Sequence, residues 1–124
     1  MKGLFVLLAS LWLTAFLAAA AETKGDHLTL ELPKSAKAGA LLTVRIIHTL
    51  HDDLGPQKLH VTLKQRDNTR IERKVIDIQG NATAEVTFDV PTTLKTPALI
   101  IAVFVGEDIT TALQHLNSQP IPLE

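Results

Sequence analysis

Strict alternation of apolar and polar side chains is the feature that most constrains how this chain folds. It is clearest in residues 82–90, where Val86, Phe88 and Val90 alternate with threonine, glutamate and aspartate. Successive side chains of a β-strand point to opposite faces of a sheet, so a period of two predicts a strand with one buried face. Glycine, proline, asparagine and aspartate interrupt the pattern at short intervals, which is typical of turns between short strands.

The same pattern predicts seven strands along the chain. They cover residues 27–32, 42–47, 59–63, 70–78, 82–90, 98–105 and 119–123. Residues 98–105 are apolar on both faces, as expected of a central strand. The apolar residues of 70–78 keep no single parity, which predicts a sheet edge or a bulge. Residues 110–117 contain helix formers but are few, so we expect a short helical turn or an irregular crossing there.

Short strands without a helix long enough to cover a sheet have to cover their apolar faces with each other. We therefore predict an all-β fold, a seven-stranded antiparallel β-sandwich whose sheets lie about 10 Å apart. The segments 32–44, 80–91 and 121–123, with Leu32-Pro33 and Ile121-Pro122-Leu123, resemble extracellular immunoglobulin-like and fibronectin-III-like modules. The cysteine pair, core tryptophan and tyrosine corner of antibody-type domains are missing after the leader, so the resemblance implies an architecture and no functional residue.

The first twenty residues have the composition of a secretory signal peptide. Lys2 precedes an apolar run over residues 4–17, and the alanines at 18–21 supply the small residues of a signal-peptidase site. We expect residues 1–20 to be the leader and residues 21–124 to be one exported domain. An uncleaved anchor is the alternative, since the apolar segment just reaches the length of a minimal transmembrane helix. The protein is therefore expected to be secreted and extracellular, or periplasmic or at the cell surface in a bacterium.

Composition argues against several classes of function. The formal net charge is −1 with histidine neutral, which gives little attraction to nucleic acid, or to a membrane once the leader is removed. The chain has no cysteine, so packing rather than disulfides has to stabilise it. Ser35 and Ser118 lack a nucleophile-elbow context, and the adjacent Asp52 and Asp53 cannot face each other across a substrate. We expect no enzymatic activity and no cofactor.

His48, His51 and Asp52 form the cluster most similar to a metal site. Imidazole and carboxylate groups are natural ligands of Zn²⁺ and Cu²⁺. Residues three apart in a strand point to opposite faces, so the two rings converge only if the chain turns between them. His27 or His60 could complete such a site. The alternative is one loop histidine and one partly buried histidine without chemistry.

A group of basic residues surrounds the predicted hairpin turn at residues 65–69. Its members are Lys58, Lys64, Arg66, Arg70, Arg73 and Lys74. Interleaved Asp67, Glu72 and Asp77 dilute the positive charge, which favours an ordinary solvated edge over a polyanion-binding patch. Retention on heparin separates these two interpretations.

The leading hypothesis is a secreted, non-enzymatic binding module. It would present loops or a sheet edge such as residues 70–78 to an extracellular protein, or to a cell-surface, matrix or cell-wall component. After the leader the chain has no tryptophan or tyrosine, so a sugar could be held by hydrogen bonding but not by stacking. Asn81-Ala82-Thr83 is an N-glycosylation acceptor in a eukaryotic secretory pathway. The alternative function is a small secreted Cu- or Zn-binding protein that uses His48 and His51.

Overall fold

The computed structural model describes residues 20–25, 27–49, 56–106 and 114–124. These ranges contain nine strands. They are β1 (Ala20–Lys24), β2 (Leu28–Pro33), β3 (Leu41–Thr49), β4 (Pro56–Gln65), β5 (Arg70–Gln79), β6 (Asn81–Asp89), β7 (Ala98–Val105), β8 (Gln114–Asn117) and β9 (Ile121–Pro122). Within the same ranges, no helix has the length and apolar character needed to cross a membrane.

The strands form two antiparallel sheets. The first sheet has the order β1-β2-β3-β6, and the second has the order β5-β4-β7-β8 with β9 also paired to β7. The chain crosses from the second sheet to the first between β5 and β6. Gly80 makes this crossing with a φ of 61°, in the left-handed region that glycine tolerates best.

The hairpin between β4 and β5 closes as the sequence predicts. Asn68 adopts a φ of 74°, and asparagine is one of the few residues that accept this conformation readily. The backbone N–H of Thr69 donates to Asp67 Oδ1 at 3.0 Å. This bond lowers the pKa of the Asp67 carboxyl. Its contribution to stability is therefore present at neutral pH and is lost as the pH falls through the lowered pKa.

The two sheets bury their apolar faces against each other. The core residues of β2, β3, β4, β6 and β7 are Leu28, Leu30, Leu32, Leu42, Val44, Ile46, Leu59, Val61, Leu63, Val86, Phe88, Leu99, Ile101, Val103 and Val105. Within each strand these residues are two positions apart, so the alternation predicted from the sequence is confirmed. Burying one large apolar side chain contributes about 1.5–3 kcal/mol. A core of this size accounts for a fold without disulfides.

The all-β prediction with two antiparallel sheets is confirmed, but the predicted number of seven strands is wrong. The described residues contain nine, and the additional strands are β1 and β8. β1 has no apolar alternation and becomes a strand because it pairs with β2 along its whole length. β8 lies in the segment expected to be a helical turn. It pairs with β7 while Leu116 packs against the core, so tertiary pairing outweighs local propensity.

β5 and β6 are edge strands, and Lys74 spans the opening between them. Lys74 lies on the core-facing parity of β5, opposite Val61. Its ammonium donates to the backbone carbonyl of Thr87 on β6 and lies 5.4 Å from the centre of the Phe88 ring. An inward-pointing charge of this kind protects a sheet edge against an added strand. β5 lies at the end of the strand order of its sheet, which confirms the sheet edge predicted for residues 70–78. The inward-pointing Lys74 protects this edge against pairing with another strand.

Candidate functional site

His48 lies at the end of β3 with its ring in the interior. The residue is 2% exposed, and its Nδ1 lies 2.8 Å from the carbonyl oxygen of Gly80. A carbonyl only accepts hydrogen bonds, so Nδ1 carries the proton and donates it. In a neutral ring, Nε2 of His48 then carries the lone pair, and this buried atom finds no hydrogen-bond partner among the described residues.

The predicted metal cluster of His48, His51 and Asp52 stays a prediction. His51 and Asp52 lie outside the described residues. His60, which the sequence offers as a further ligand, lies on the outer face of the second sheet and not beside His48. Within the described part, no group of three or more histidine, aspartate or glutamate side chains could hold a metal ion.

The outer face of the second sheet carries a stacked aromatic pair. His60 of β4 lies opposite Phe104 of β7, with ring centres 4.2 Å apart and an angle of 9° between the ring planes. His60 Nε2 donates to the Gly106 carbonyl at 3.0 Å. Neither residue belongs to the core between the sheets, yet Phe104 is only 6% exposed. Phe104 therefore lies on the outer face of β7. The sequence does not decide which face of this strand is the outer one, because both faces are apolar.

Arg73 of β5 is fixed above this pair. Its Nε donates to Thr62 Oγ1 at 3.2 Å, and its Cζ lies 5.6 Å from the centre of the Phe104 ring. The bond to Thr62 uses Nε and leaves the two terminal guanidinium nitrogens for another partner. Among the described residues, no carboxylate forms an ion pair with Arg73. A guanidinium whose two terminal nitrogens are not engaged by a carboxylate can donate two parallel hydrogen bonds to one oxyanion.

A cleft of about 340 Å³ opens beside Arg73 on the same outer face. We call it the basic cleft. Its charged and hydrogen-bonding lining includes Lys64, Arg70, Arg73, Thr62, Asn68 and Asn117. His115 of β8 lies at its far side, opposite Phe104. No carboxylate is among the described residues that line it.

A bulge brings the three cations of the basic cleft to one face. The pairing of β4 with β5 shifts between Leu63 and Lys64, and Ile71 is left without a partner in the register. Arg70 and Arg73 are three residues apart and would point to opposite faces of a regular strand. The extra residue places Arg70 opposite Lys64 and Arg73 opposite Thr62, so both arginines face the cleft.

The other basic residues near the hairpin are engaged or directed elsewhere. Lys58 pairs with Asp77 at 3.3 Å, Lys74 points inward, and Arg66 lies exposed in the turn. The acidic residues that alternate with them in the sequence also lie outside the cleft. Asp67 accepts from Thr69, while Glu72 lies opposite Leu63 on the core-facing parity. Strand geometry thus separates charges that appear mixed in the sequence.

A second cleft, of about 470 Å³, lies on the outer face of the first sheet. Its central cation is already neutralised, because Arg45 contacts Glu31 at 3.5 Å and Glu85 at 3.0 Å. Leu41 adds an apolar wall that is 69% exposed. This cleft is larger than the basic cleft, but it shows no unbalanced charge that points to one class of ligand.

Asn81 begins β6 and is exposed, and Thr83 two residues later is exposed as well. Residues two apart in a strand point to the same face. The acceptor tripeptide is accessible in this arrangement, and its glycosylation stays a prediction.

The described part of the chain is a two-sheet antiparallel β-sandwich with a basic cleft on one outer face. No family model matches the chain, and no curated protein is similar to it. The features of the molecule that bear on function are therefore the geometry of its clefts and the charges within them.

Proposed function

We propose that the chain is exported by its leader and acts outside the cytoplasm as a non-enzymatic, immunoglobulin-like binding module. Its ligand is an anionic group on an extracellular protein or on a component of the cell surface, matrix or cell wall. One observation carries the proposal: Lys64, Arg70 and Arg73 line one cleft without a carboxylate among the described lining residues. Such clusters raise the local concentration of anions even where the whole protein has little net charge.

The cost of this cluster to the fold supports a role in binding. Lys64 and Arg70 lie directly opposite each other on paired strands, and like charges in this position destabilise a sheet. No described carboxylate compensates for them, whereas Lys58 and Arg45 each have an acidic partner. A bound anion supplies the missing countercharge, and salt screens this interaction because the cleft is open to solvent.

Chromatography on heparin tests the proposal. We compare the wild type with Arg70→Gln/Arg73→Gln in the cleft and with Lys24→Gln/Lys37→Gln, which removes two charges that do not line the cleft. We expect the control pair to elute close to the wild type. The cleft pair should elute at clearly lower salt, because two fewer contacts to sulfate or carboxylate groups release fewer counterions. Equal elution of both double variants would show that net charge alone governs retention, and the proposal would fail.

A small Cu- or Zn-binding protein using His48, His51 and Asp52 is the second candidate. The tautomer of His48 favours it, because a ring that donates Nδ1–H to the Gly80 carbonyl offers Nε2 as a metal ligand, with the orientation typical of metal-bound histidines. Calorimetric titration with Cu²⁺ or Zn²⁺ tests it. We expect tighter binding by the wild type than by His48→Ala/His51→Ala. Identical isotherms for the two proteins would exclude this site.

A further inference from the structure

We propose that the ligand of the basic cleft is a linear acidic polysaccharide whose acid group binds Arg73. This inference rests on the proposed function and names the chemical class that the cleft recognises. It assigns Arg73 to the acid group, Lys64 and Arg70 to neighbouring charges along the polymer, and the amides of Asn68 and Asn117 to its hydroxyl groups.

Arg73 is held in a binding-competent position before any ligand arrives. Thr62 fixes the Nε end at 3.2 Å, and the Phe104 ring lies under the guanidinium. His60 in turn supports Phe104 by stacking on its ring. A long side chain normally loses rotamer freedom when it binds, and an arginine that is already ordered loses less. The terminal nitrogens are then available to one carboxylate or sulfate group.

The cations are arranged along a line that suits a polymer. Arg73 lies opposite Thr62, and Arg70 lies opposite Lys64 two residues further along β4. Two residues of a strand span about 7 Å, so successive positive positions are separated along the strand. Long side chains can converge on a single anion across this distance, but a chain with repeated acid groups pairs each position with a group of its own. Its affinity gains from several contacts on one molecule.

The polar lining favours hydroxyl groups over the side chains of an acidic peptide. Asn68 and Asn117 each offer a donor pair and an acceptor, which matches hydroxyls that also donate and accept. Two of the common modes of peptide binding use a free sheet edge or an apolar groove. Lys74 points inward from the edge strand β5 and protects that edge against pairing with a peptide. The ring of Phe104 is buried and offers no open apolar groove. Charge and hydrogen bonding thus replace the aromatic stacking that the chain cannot provide.

Binding of defined polymers to the protein recovered after export tests the inference. The probes are heparin, which carries sulfate and carboxylate, polygalacturonate, which carries carboxylate only, and poly-L-glutamate as the acidic polypeptide. Affinities are measured by biolayer interferometry at one ionic strength and at equal concentration of charged groups. We expect at least one polysaccharide to bind more tightly than poly-L-glutamate. Comparison of heparin with polygalacturonate then distinguishes recognition of sulfate from recognition of carboxylate.

Two variants examine the role of Arg73 without removing a charge. Thr62→Val deletes the hydroxyl that holds Nε, and Arg73→Lys keeps the charge but loses the planar fork. Each should weaken polysaccharide binding about tenfold, as expected for one lost charged hydrogen bond. Thr29→Val on the first sheet and Arg66→Lys in the exposed turn are the matched controls, since neither residue lines the cleft, and both should bind like the wild type. Circular dichroism melts check that each variant is folded, and Arg73→Lys keeps the test valid if Thr62→Val unfolds.

The outcomes separate this inference from the proposed function. Binding of poly-L-glutamate as tight as that of both polysaccharides overturns the polysaccharide and leaves an anion-binding module. Wild-type affinity in both Thr62→Val and Arg73→Lys overturns the role of the ordered guanidinium. Absence of binding to all three polymers overturns the proposed function and this inference together.

Discussion

Phe88→Ala should lower the free energy of unfolding by about 3–5 kcal/mol, the usual range for truncating a fully buried phenylalanine. Phe88 is 0% exposed and fills the space between the sheets near the edge formed by β6. The loss is large compared with the total stability of about 5–15 kcal/mol typical of small domains. Urea titration followed by circular dichroism measures it.

Val75→Ala is a suitable control for this prediction. Val75 lies on β5 and is 50% exposed, so its truncation should change the free energy of unfolding by no more than about 0.5 kcal/mol. Phe88 also lies beneath the Lys74 ammonium, and its loss removes this contact as well. A loss below about 1 kcal/mol for Phe88→Ala would contradict the arrangement of the core.

Phe88 also shows how much of the fold the sequence can predict. Alternation along residues 82–90 is enough to place this side chain in the core, because the period of two is fixed by strand geometry. The same reasoning correctly places His48 inward at the end of β3. It fails for β1 and β8, whose residues lack the alternation. Their strand state depends on partners that are distant in the sequence, and no local pattern reports these partners.

The basic cleft was only partly predictable, for a related reason. The basic residues near residues 65–69 are visible in the sequence, but their faces depend on one bulge. Without it, Arg70 and Arg73 would lie on opposite sides of β5. The irregular apolar parity of residues 70–78 predicts a bulge or an edge, but not its position. The support of Arg73 by Thr62 and Phe104 requires the register of three strands, which single-sequence periodicity does not contain.

The stability of the cleft depends on a buried amide as well as on the apolar core. Gln65 ends β4 and is 7% exposed. Its Oε1 accepts from the backbone N–H groups of Lys95 at 2.7 Å and Thr96 at 3.2 Å. Its backbone carbonyl accepts from Asn68 at 2.9 Å. Gln65 therefore joins the turn beside the basic cleft to the connection between β6 and β7.

Gln65→Leu should lower the free energy of unfolding by about 1–3 kcal/mol, because leucine leaves two part-buried backbone donors without this acceptor and each such hydrogen bond contributes about 0.5–1.5 kcal/mol. Gln79→Leu makes the same chemical change at an exposed position of β5 and should stay within about 0.5 kcal/mol of the wild type.

Hydrogen exchange adds a local readout, since the amides of Lys95 and Thr96 should lose protection in Gln65→Leu. Unchanged protection of both amides would mean that they do not depend on this side chain. If the prediction holds, polymer binding should weaken as well, because the loosened connection no longer holds the turn that carries Asn68.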